Sequence, residues 1–350
     1  MKDILICGYY GFKNSGDDAL LLSIIQQLKG MRADIKISVL SNNPEETIKK
    51  YGVDAKKRDG IFSLITAVMG CKMLILGGGT LIQDRTSTKS LVYYLAVVIL
   101  ALIFGKKVML YANGIGPLKN KKITAKILNR VDLITLRDKN SLEELKEMGV
   151  KKPRIELTAD SVFGLDFIKK PTPFEGDYFC VSIRDYNHFP KDFCEQLAKV
   201  CDYISQEFNC YPLFIPFQHD KDLEITEKIS SMTKKGVTVT ALPEPDDLIS
   251  ILSGARLCIG MRLHSLIYSA LCAVPLIGLV YDPKVSGFLD YMGENKYFDV
   301  ERLSSDELIN AVNDCFENNS KIRLDMGKKL EKMKELAKKN AQLAIELPEE

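Results

Sequence analysis

Histidine is scarce in this 350-residue chain, which holds three: His188, His219 and His264. The nine cysteines are scattered, with no C-x-x-C pair and no zinc-like Cys/His spacing, so no metal site is expected. Those in apolar runs (Cys7, Cys71, Cys258 and Cys272) read as small core residues of a reducing cytosol. An excess of either charge is missing as well. Lys+Arg 48 against Asp+Glu 46 leaves a net +2, which argues against a general nucleic-acid surface. The longest apolar run, "LVYYLAVVILALIFG" at 91–105, falls short of the ~20 residues that cross a bilayer. Two readings of it stay open. One is a buried helix, and the other a membrane-facing helix with Lys106 and Lys107 at headgroup level. The start, "MKDILICGYYG", runs straight into a strand signal, so no secretory signal peptide is expected.

What is present is an ordinary globular composition, 46% hydrophobic and 27% charged, in a length that suits two domains. The first half alternates short β-rich runs with helices of ten or more residues. "DILICGYY", "DIKISVLSNN", "CKMLILGGGT", "KKVMLYANGIGP" and "VDLITLRD" read as strands, and "RIELTADSVFGL" closes the half. Such alternation predicts a parallel sheet. Asp166–Asp177, with two prolines, a glycine and mixed charge, reads as a linker. The pattern then restarts with "YFCVSIRDY", "YPLFIPFQ", "VTVTAL", "RLCIG" and "PLIGLVYD" as strands. The expected organisation is therefore α/β, with two Rossmann-like domains at 1–165 and 178–304. A charged helical tail at 305–350 either wraps the surface or returns to the first domain. Two such domains are expected to share a cleft at the carboxyl ends of their strands, where ligands of open α/β sheets bind.

The strand ends are where chemistry is expected. "GYYGFKNSGDDA" joins glycines, Asn14 and the pair Asp17-Asp18 at a helix start. Helix capping explains the acidic pair, yet glycines also admit a ligand close to the backbone. The loop is neither G-x-G-x-x-G nor a Walker A motif, so nucleotide binding does not follow from it. "LGGGTLIQD", with Gly78 and Asp84, is a second glycine-rich end and "ANGIGP" a third. "LRDKNS" places Arg137 at the end of the fifth expected strand, either as a surface ion-pair residue or as a ligand contact.

In the second half "GMRLHS" (Gly260 to Ser265) puts Arg262 and His264 where a strand passes into a helix, and "VYDPKVSGF" supplies Lys284. Cations so placed are costly to bury without anions, and histidine suits proton transfer near neutral pH. His188 and His219 lie in polar loops and read as solvent-facing or rim residues. From the residues alone, the chain is an anion-binding two-domain protein, better suited to a transferase using a phosphorylated donor than to a redox enzyme.

Six stretches, "GYYGFKNSGDDA", "LGGGTLIQD", "ANGIGP", "LRDKNS", "MRLHSLIYS" and "PLIGLVYDPKV", occur in an order that resembles the polysaccharide pyruvyl transferases. The resemblance is closest to the CsaB-type enzymes of secondary cell-wall polymers. It implies a GT-B-like fold and transfer of a pyruvyl group from phosphoenolpyruvate to a sugar, as a 4,6-linked ketal, with phosphate released and no cofactor. It implies as acceptor a β-linked N-acetylmannosamine in a lipid-linked amino-sugar disaccharide at the cytoplasmic membrane face, serving cell-wall biogenesis and S-layer anchoring. It also implies a cytoplasmic location, with peripheral membrane contact through the 91–104 helix as one option. Carried onto this sequence, Arg137, His264 and Lys284 match the donor-site residues. Arg262, Ser265 and Gly260 lie beside them, and Asn14, Asp17, Asp18, Gly78 and Asp84 are the acceptor candidates.

Two other readings share this frame. A sugar-nucleotide glycosyltransferase would need a C-terminal Glu/Asp ribose clamp after a glycine pair, and none is recognisable. A non-catalytic protein that senses a phosphorylated metabolite would bind without turnover.

Overall fold

The computed structural model describes residues 2–85, 87–241 and 243–347. The chain divides into two compact units, Met1–Phe12 with Asp17–Asp166 and Met333–Glu350, and Lys13–Gly16 with Phe167–Lys332. The proline- and glycine-bearing segment at 166–177 begins at this division.

The first unit carries β1 (Lys2–Cys7), α1 (Ser15–Met31), β2 (Ile37–Ser41), α2 (Pro44–Tyr51), β3 (Asp54–Lys57), α3 (Ile61–Met69) and β4 (Cys71–Gly77). It continues with α4 (Thr88–Ile103), β5 (Lys107–Asn113), α5 (Lys121–Leu128), β6 (Leu133–Leu136), α6 (Lys139–Glu147) and β7 (Arg154–Leu157). Its seven strands are all parallel, in the order β3-β2-β1-β4-β5-β6-β7. Alternate residues of the central strands divide between two cores. Leu5, Leu74 and Leu110 face α3, α4, α5 and α6, while Ile4, Ile6, Met73 and Ile75 face α1. Because both faces are covered, these strands are near-continuous apolar runs.

The second unit holds β8 (Tyr178–Ser182), α7 (Phe193–Glu207), β9 (Tyr211–Phe214), α8 (His219–Ser231), β10 (Val237–Thr238), α9 (Pro245–Gly254) and β11 (Cys258–Gly260). Then come α10 (Leu263–Leu271), β12 (Leu276–Val280), α11 (Pro283–Met292), β13 (Tyr297–Asp299), α12 (Ser305–Glu317) and the start of α13 (Asn319–Glu346). Its strand order, β10-β9-β8-β11-β12-β13, repeats the logic of the first sheet. In each sheet the order reverses beside the first strand of the unit, at β1/β4 and at β8/β11. Such switch points leave a crevice at the carboxyl ends.

Sequence pattern misses two strands, β3 and β13. Both are edges with one neighbour, and β3 reads "DAKK", too polar to signal a buried strand. The expected strand at 237–242 is short, and Leu242 lies outside the described residues. Eight of the nine cysteines are buried and Cys272 is intermediate. The apolar helix α4 is only half interior. Leu91, Tyr94, Leu95, Val97, Val98 and Ala101 are buried, whereas Val92, Ile99 and Ile103 face solvent.

The tail is not one appendage. Residues up to Lys332 belong to the second unit, and from Met333 the same helix belongs to the first. There Ala341, Leu343, Ala344 and Leu347 join the core beneath the sheet. Asn340, fully buried, donates to Ala159 O at 3.2 Å and Ala337 O at 3.0 Å and accepts from Thr158 Oγ1 at 2.8 Å. Replacing Asn340 by Ala is expected to cost about 2 kcal/mol of stability, read as a shifted denaturant midpoint.

Candidate functional site

In the second unit, the candidate groups stand at three adjacent strand ends. Arg184 follows β8, Arg262 and His264 follow β11, and Tyr281 and Lys284 follow β12. Arg262 is the N-cap residue of α10, so His264 lies in that helix's first turn. Asp282 caps α11 by accepting the Lys284 N–H at 3.1 Å, which fixes the turn that carries Lys284.

Tyr281 gathers the cations. The Arg184 guanidinium lies 4.6 Å from its ring centroid, and Nη1 donates to the phenol oxygen at 3.0 Å. Lys284 Nζ is 5.4 Å from the same centroid. Burial alone would raise the phenol's pKa, but the fields of Lys284, Arg184 and Arg262 outweigh it and hold the pKa below the ordinary tyrosine value. Arg184 and Lys284 are both half-buried, and neither is held in an ion pair with any described residue. Arg262 differs. Its Nε donates to Asp222 Oδ2 at 2.9 Å and its Nη2 to Oδ1 of the same fully buried carboxylate. Asp222 also accepts the Gln218 N–H at 2.8 Å. Two of Arg262's five N–H donors are therefore spent on a buried bidentate pair.

His264 is positioned by a piece of chain remote in sequence. Lys13–Gly16 belongs to this unit. Ser15 N–H donates to Phe217 O at 3.2 Å, and Tyr268 Oη donates to Ser15 O at 2.8 Å. The Tyr268 ring centroid lies 6.2 Å from that of His264. Gly16 presses on the imidazole so closely that a Cβ there would stand 2.2 Å from His264 Nδ1. Asn14 Oδ1 accepts the Gly16 N–H at 3.0 Å, so this acceptor candidate shapes the turn. His188 is exposed, and the half-buried His219 places Nε2 2.7 Å from Thr240 O.

Two expected donor contacts are corrected. Ser265 is fully buried and its hydroxyl donates to Arg262 O at 2.6 Å, so no surface remains for a ligand. Gly260 leaves room for that hydroxyl, since a Cβ there would stand 2.5 Å from Ser265 Oγ. Both build the strand-to-helix turn.

The first unit has its own strand-end group. Gly78 and Gly79 take φ of 69° and 70°, a left-handed pair that lets the chain turn sharply after β4. Asp17 Oδ1 approaches within 3.5 Å of where a Gly79 Cβ would be, and Asp18 pairs with Lys50 at 3.5 Å. Arg137 is buried, with Nη1 on Asp160 Oδ2 at 2.6 Å and Nη2 on Thr80 Oγ1 at 3.0 Å. Asp84 is a latch, which corrects its placement among acceptor contacts. Its carboxylate accepts Lys119 N at 2.7 Å, Asn120 N at 3.0 Å and Asn120 Nδ2 at 2.8 Å. Those bonds outweigh the penalty of burial and lower its pKa. Arg58 supports the first loop through Nη1 to Gly8 O at 3.1 Å and a stack on Tyr93.

Sequence reasoning missed Arg184, Tyr281, Asp222, Asp160 and Gly16. Arg184 had a usable signal, since it follows the first strand of a restarting α/β pattern, where a switch point forms. The carboxylates had none, because the pairs Arg137–Asp160 and Arg262–Asp222 join residues 23 and 40 apart.

The profile of the family described as "Polysaccharide pyruvyl transferase" matches residues 14–283. The amylovoran biosynthesis protein AmsJ of Erwinia amylovora is 21% identical, over 96% of this chain and 97% of that protein. Among solved structures, UDP-GlcNAc 2-epimerase from Neisseria meningitidis bound to UDP-GlcNAc superposes with a TM-score of 0.62 at 9% identity, covering 99% of each chain. A glycosyltransferase from Rickettsia africae gives 0.61 at 11% identity, over 99% of this chain and 98% of that one. At such identities these structures establish the fold, two Rossmann-like units of the GT-B kind.

The cation field at Tyr281 is measurable. A titration at 295 nm, with Tyr281→Phe subtracted, is expected to show one phenol ionising below the ordinary tyrosine range. Lys284→Gln removes a positive neighbour and so must move that ionisation upward. An unchanged titration in Lys284→Gln would refute the field.

Proposed function

This chain belongs to the polysaccharide pyruvyl transferase family, and on that premise we propose that it moves the pyruvyl group of phosphoenolpyruvate onto two hydroxyls of a glycan sugar. We assign the 4- and 6-hydroxyls of a β-linked N-acetylmannosamine in a lipid-linked disaccharide as acceptor, and no cofactor. The observation that carries the reading is the pair of half-buried cations, Arg184 and Lys284, set around Tyr281 at the strand ends without a partner carboxylate among the described residues. Enclosed cations are stabilised by an anion, and phosphoenolpyruvate offers both a carboxylate and a phosphate. A planar guanidinium and a mobile ammonium suit these two groups respectively.

In this scheme the enol methylene gains a proton and becomes a methyl group, leaving C2 oxocarbenium-like. One sugar hydroxyl forms a bond to C2, the C2–O bond to phosphate breaks, and the second hydroxyl closes the ketal. Of the two hydroxyl protons lost, one balances the new methyl hydrogen and the other leaves with phosphate. His264 is the proposed general acid/base. Lys284 and Arg184 hold the charge on the leaving phosphate and the carboxylate. Arg137, braced by Asp160 and Thr80, is the proposed anion-holding residue of the first unit. Asp17 is the proposed partner of the acceptor hydroxyls.

Phosphate release from phosphoenolpyruvate, with and without a β-ManNAc-(1→4)-GlcNAc lipid mimic, tests the reading. Wild type is expected to release phosphate only with acceptor. His264→Ala is expected to lower kcat by about 10²–10⁴-fold, and Arg184→Gln to raise KM for phosphoenolpyruvate. Turnover of a nucleotide sugar, or binding of phosphoenolpyruvate without turnover, would replace the proposal by the glycosyltransferase or the sensor. Gly16→Ala is a separate check on His264. The new methyl displaces the imidazole, so kcat is expected to fall at least tenfold while the melting temperature stays within a few degrees.

A further inference from the structure

The three helices α3, α4 and α5 cover the same face of the first sheet and share one core. The outer sides of α3 and α4 are apolar as well, and α5 adds Ile123 between Lys122 and Lys126. Phe62 (83% exposed) and Ile61 project from α3, Val92 and Ile103 (69%) from α4, and Ile123 from α5. Of fourteen exposed large hydrophobics among the described residues, eight belong to these helices or to the cap residue Phe104. An apolar groove runs between α4 and α5, lined by Leu91, Val92, Leu95 and Ile99 on one side and Ile123 and Ile127 on the other. Scattered exposed apolar residues need no explanation, but a concentration on adjacent helices does.

The charges on these three helices are all positive, Lys89, Lys121, Lys122 and Lys126, while Asp59 before α3 and Glu143, Glu144 and Glu147 of α6 border them. Residues 60–131 contain ten lysines and arginines and one acidic residue, in a chain whose total is only +2. The acidic one is Asp84, whose carboxylate is spent on the 118–120 turn. Lys89, Lys119, Lys122 and Lys126 are exposed and make no ion pair with any described residue. A second copy of the chain meeting this face through the same face would set like charges against each other. An anionic lipid surface satisfies both features at once, with phosphates for the lysines and the acyl boundary for the apolar tips. No helix among the described residues is long and apolar enough to cross a membrane, so contact would be from one side.

We propose that the α3–α4–α5 face of the first unit docks on an anionic phospholipid bilayer, with Phe62, Ile103 and Ile123 at the acyl boundary and the α4–α5 lysines against the headgroups. The argument rests on this surface and not on pyruvyl transfer. Flotation of the full chain with vesicles tests it without substrate, so its failure and that of the proposed reaction are separate results. Vesicles of phosphatidylcholine with one third phosphatidylglycerol are expected to capture the protein, pure phosphatidylcholine not, and added salt to weaken capture. The triple variant Lys119→Gln, Lys122→Gln, Lys126→Gln is expected to lose about tenfold or more in partitioning. Phe62→Ser with Ile103→Ser is expected to weaken capture while preserving its salt dependence. All these positions are exposed, and an unchanged melting curve verifies folding. Equal capture by neutral vesicles, or no capture, overturns the proposal. So does a concentration-dependent dimer abolished by Ile103→Ser with Ile123→Ser, which would assign the face to a second copy.

Discussion

Parallel pairing is the constraint from which the other features of this molecule follow. A parallel pair cannot be closed by a tight turn, so every strand must be followed by a crossover. Right-handed crossovers put helices on both faces of a sheet and deliver every strand at the same edge. The central strands must then be apolar on both sides, as β1 and β4 are. Where the strand order reverses, neighbouring crossovers diverge and leave a crevice. Arg184, Arg262, His264, Tyr281 and Lys284 come together there because β8, β11 and β12 are adjacent in the sheet, although the residues span about a hundred positions of sequence.

The arginines divide by how their charge is met. Arg137 and Arg262 each lean on a carboxylate that is almost wholly buried, Asp160 and Asp222. Removing either partner of such a pair leaves an uncompensated charge, so these arginines are structural as well as polar. Arg184 and Lys284 have an aromatic ring instead. A ring's quadrupole compensates a cation only in part, and the remaining positive potential lowers the Tyr281 pKa despite burial. That residual potential distinguishes Arg184 and Lys284 from the two carboxylate-paired arginines, and it is the feature on which the proposed donor site rests.

Covering a sheet requires helices that are apolar on one side only. α7 meets that requirement with a polar outer face that carries charges of both signs. The α3–α4–α5 layer exceeds it, α3 and α4 being apolar outward and the charges on the three helices all positive. The core requires neither property, which is why a function outside the core is sought for them.

The alternation of strands and helices made the α/β class and both Rossmann-like units legible in the sequence, because a buried parallel strand must be an apolar run bounded by turns. The strand-end motifs likewise marked Arg137, His264 and Lys284, since glycines and cations interrupting such runs stand out. The edge strands β3 and β13 were not legible, because one neighbour and a solvated face demand no apolar pattern. The fate of α4 was undecided for a related reason. A helix apolar all round carries no record of which side meets the core. Nor could sequence show that Ser265 and Asp84 serve turns, that Asp222 and Asp160 carry arginines, or that Gly16 presses on His264. The sequence alone determined which residues could be buried and where the chain must turn, because burial and φ are properties of single residues. Only the tertiary structure decided which charges meet, because a pairing energy depends on distance in space, and Asp222 lies next to Arg262 only once β11 has taken its place in the sheet.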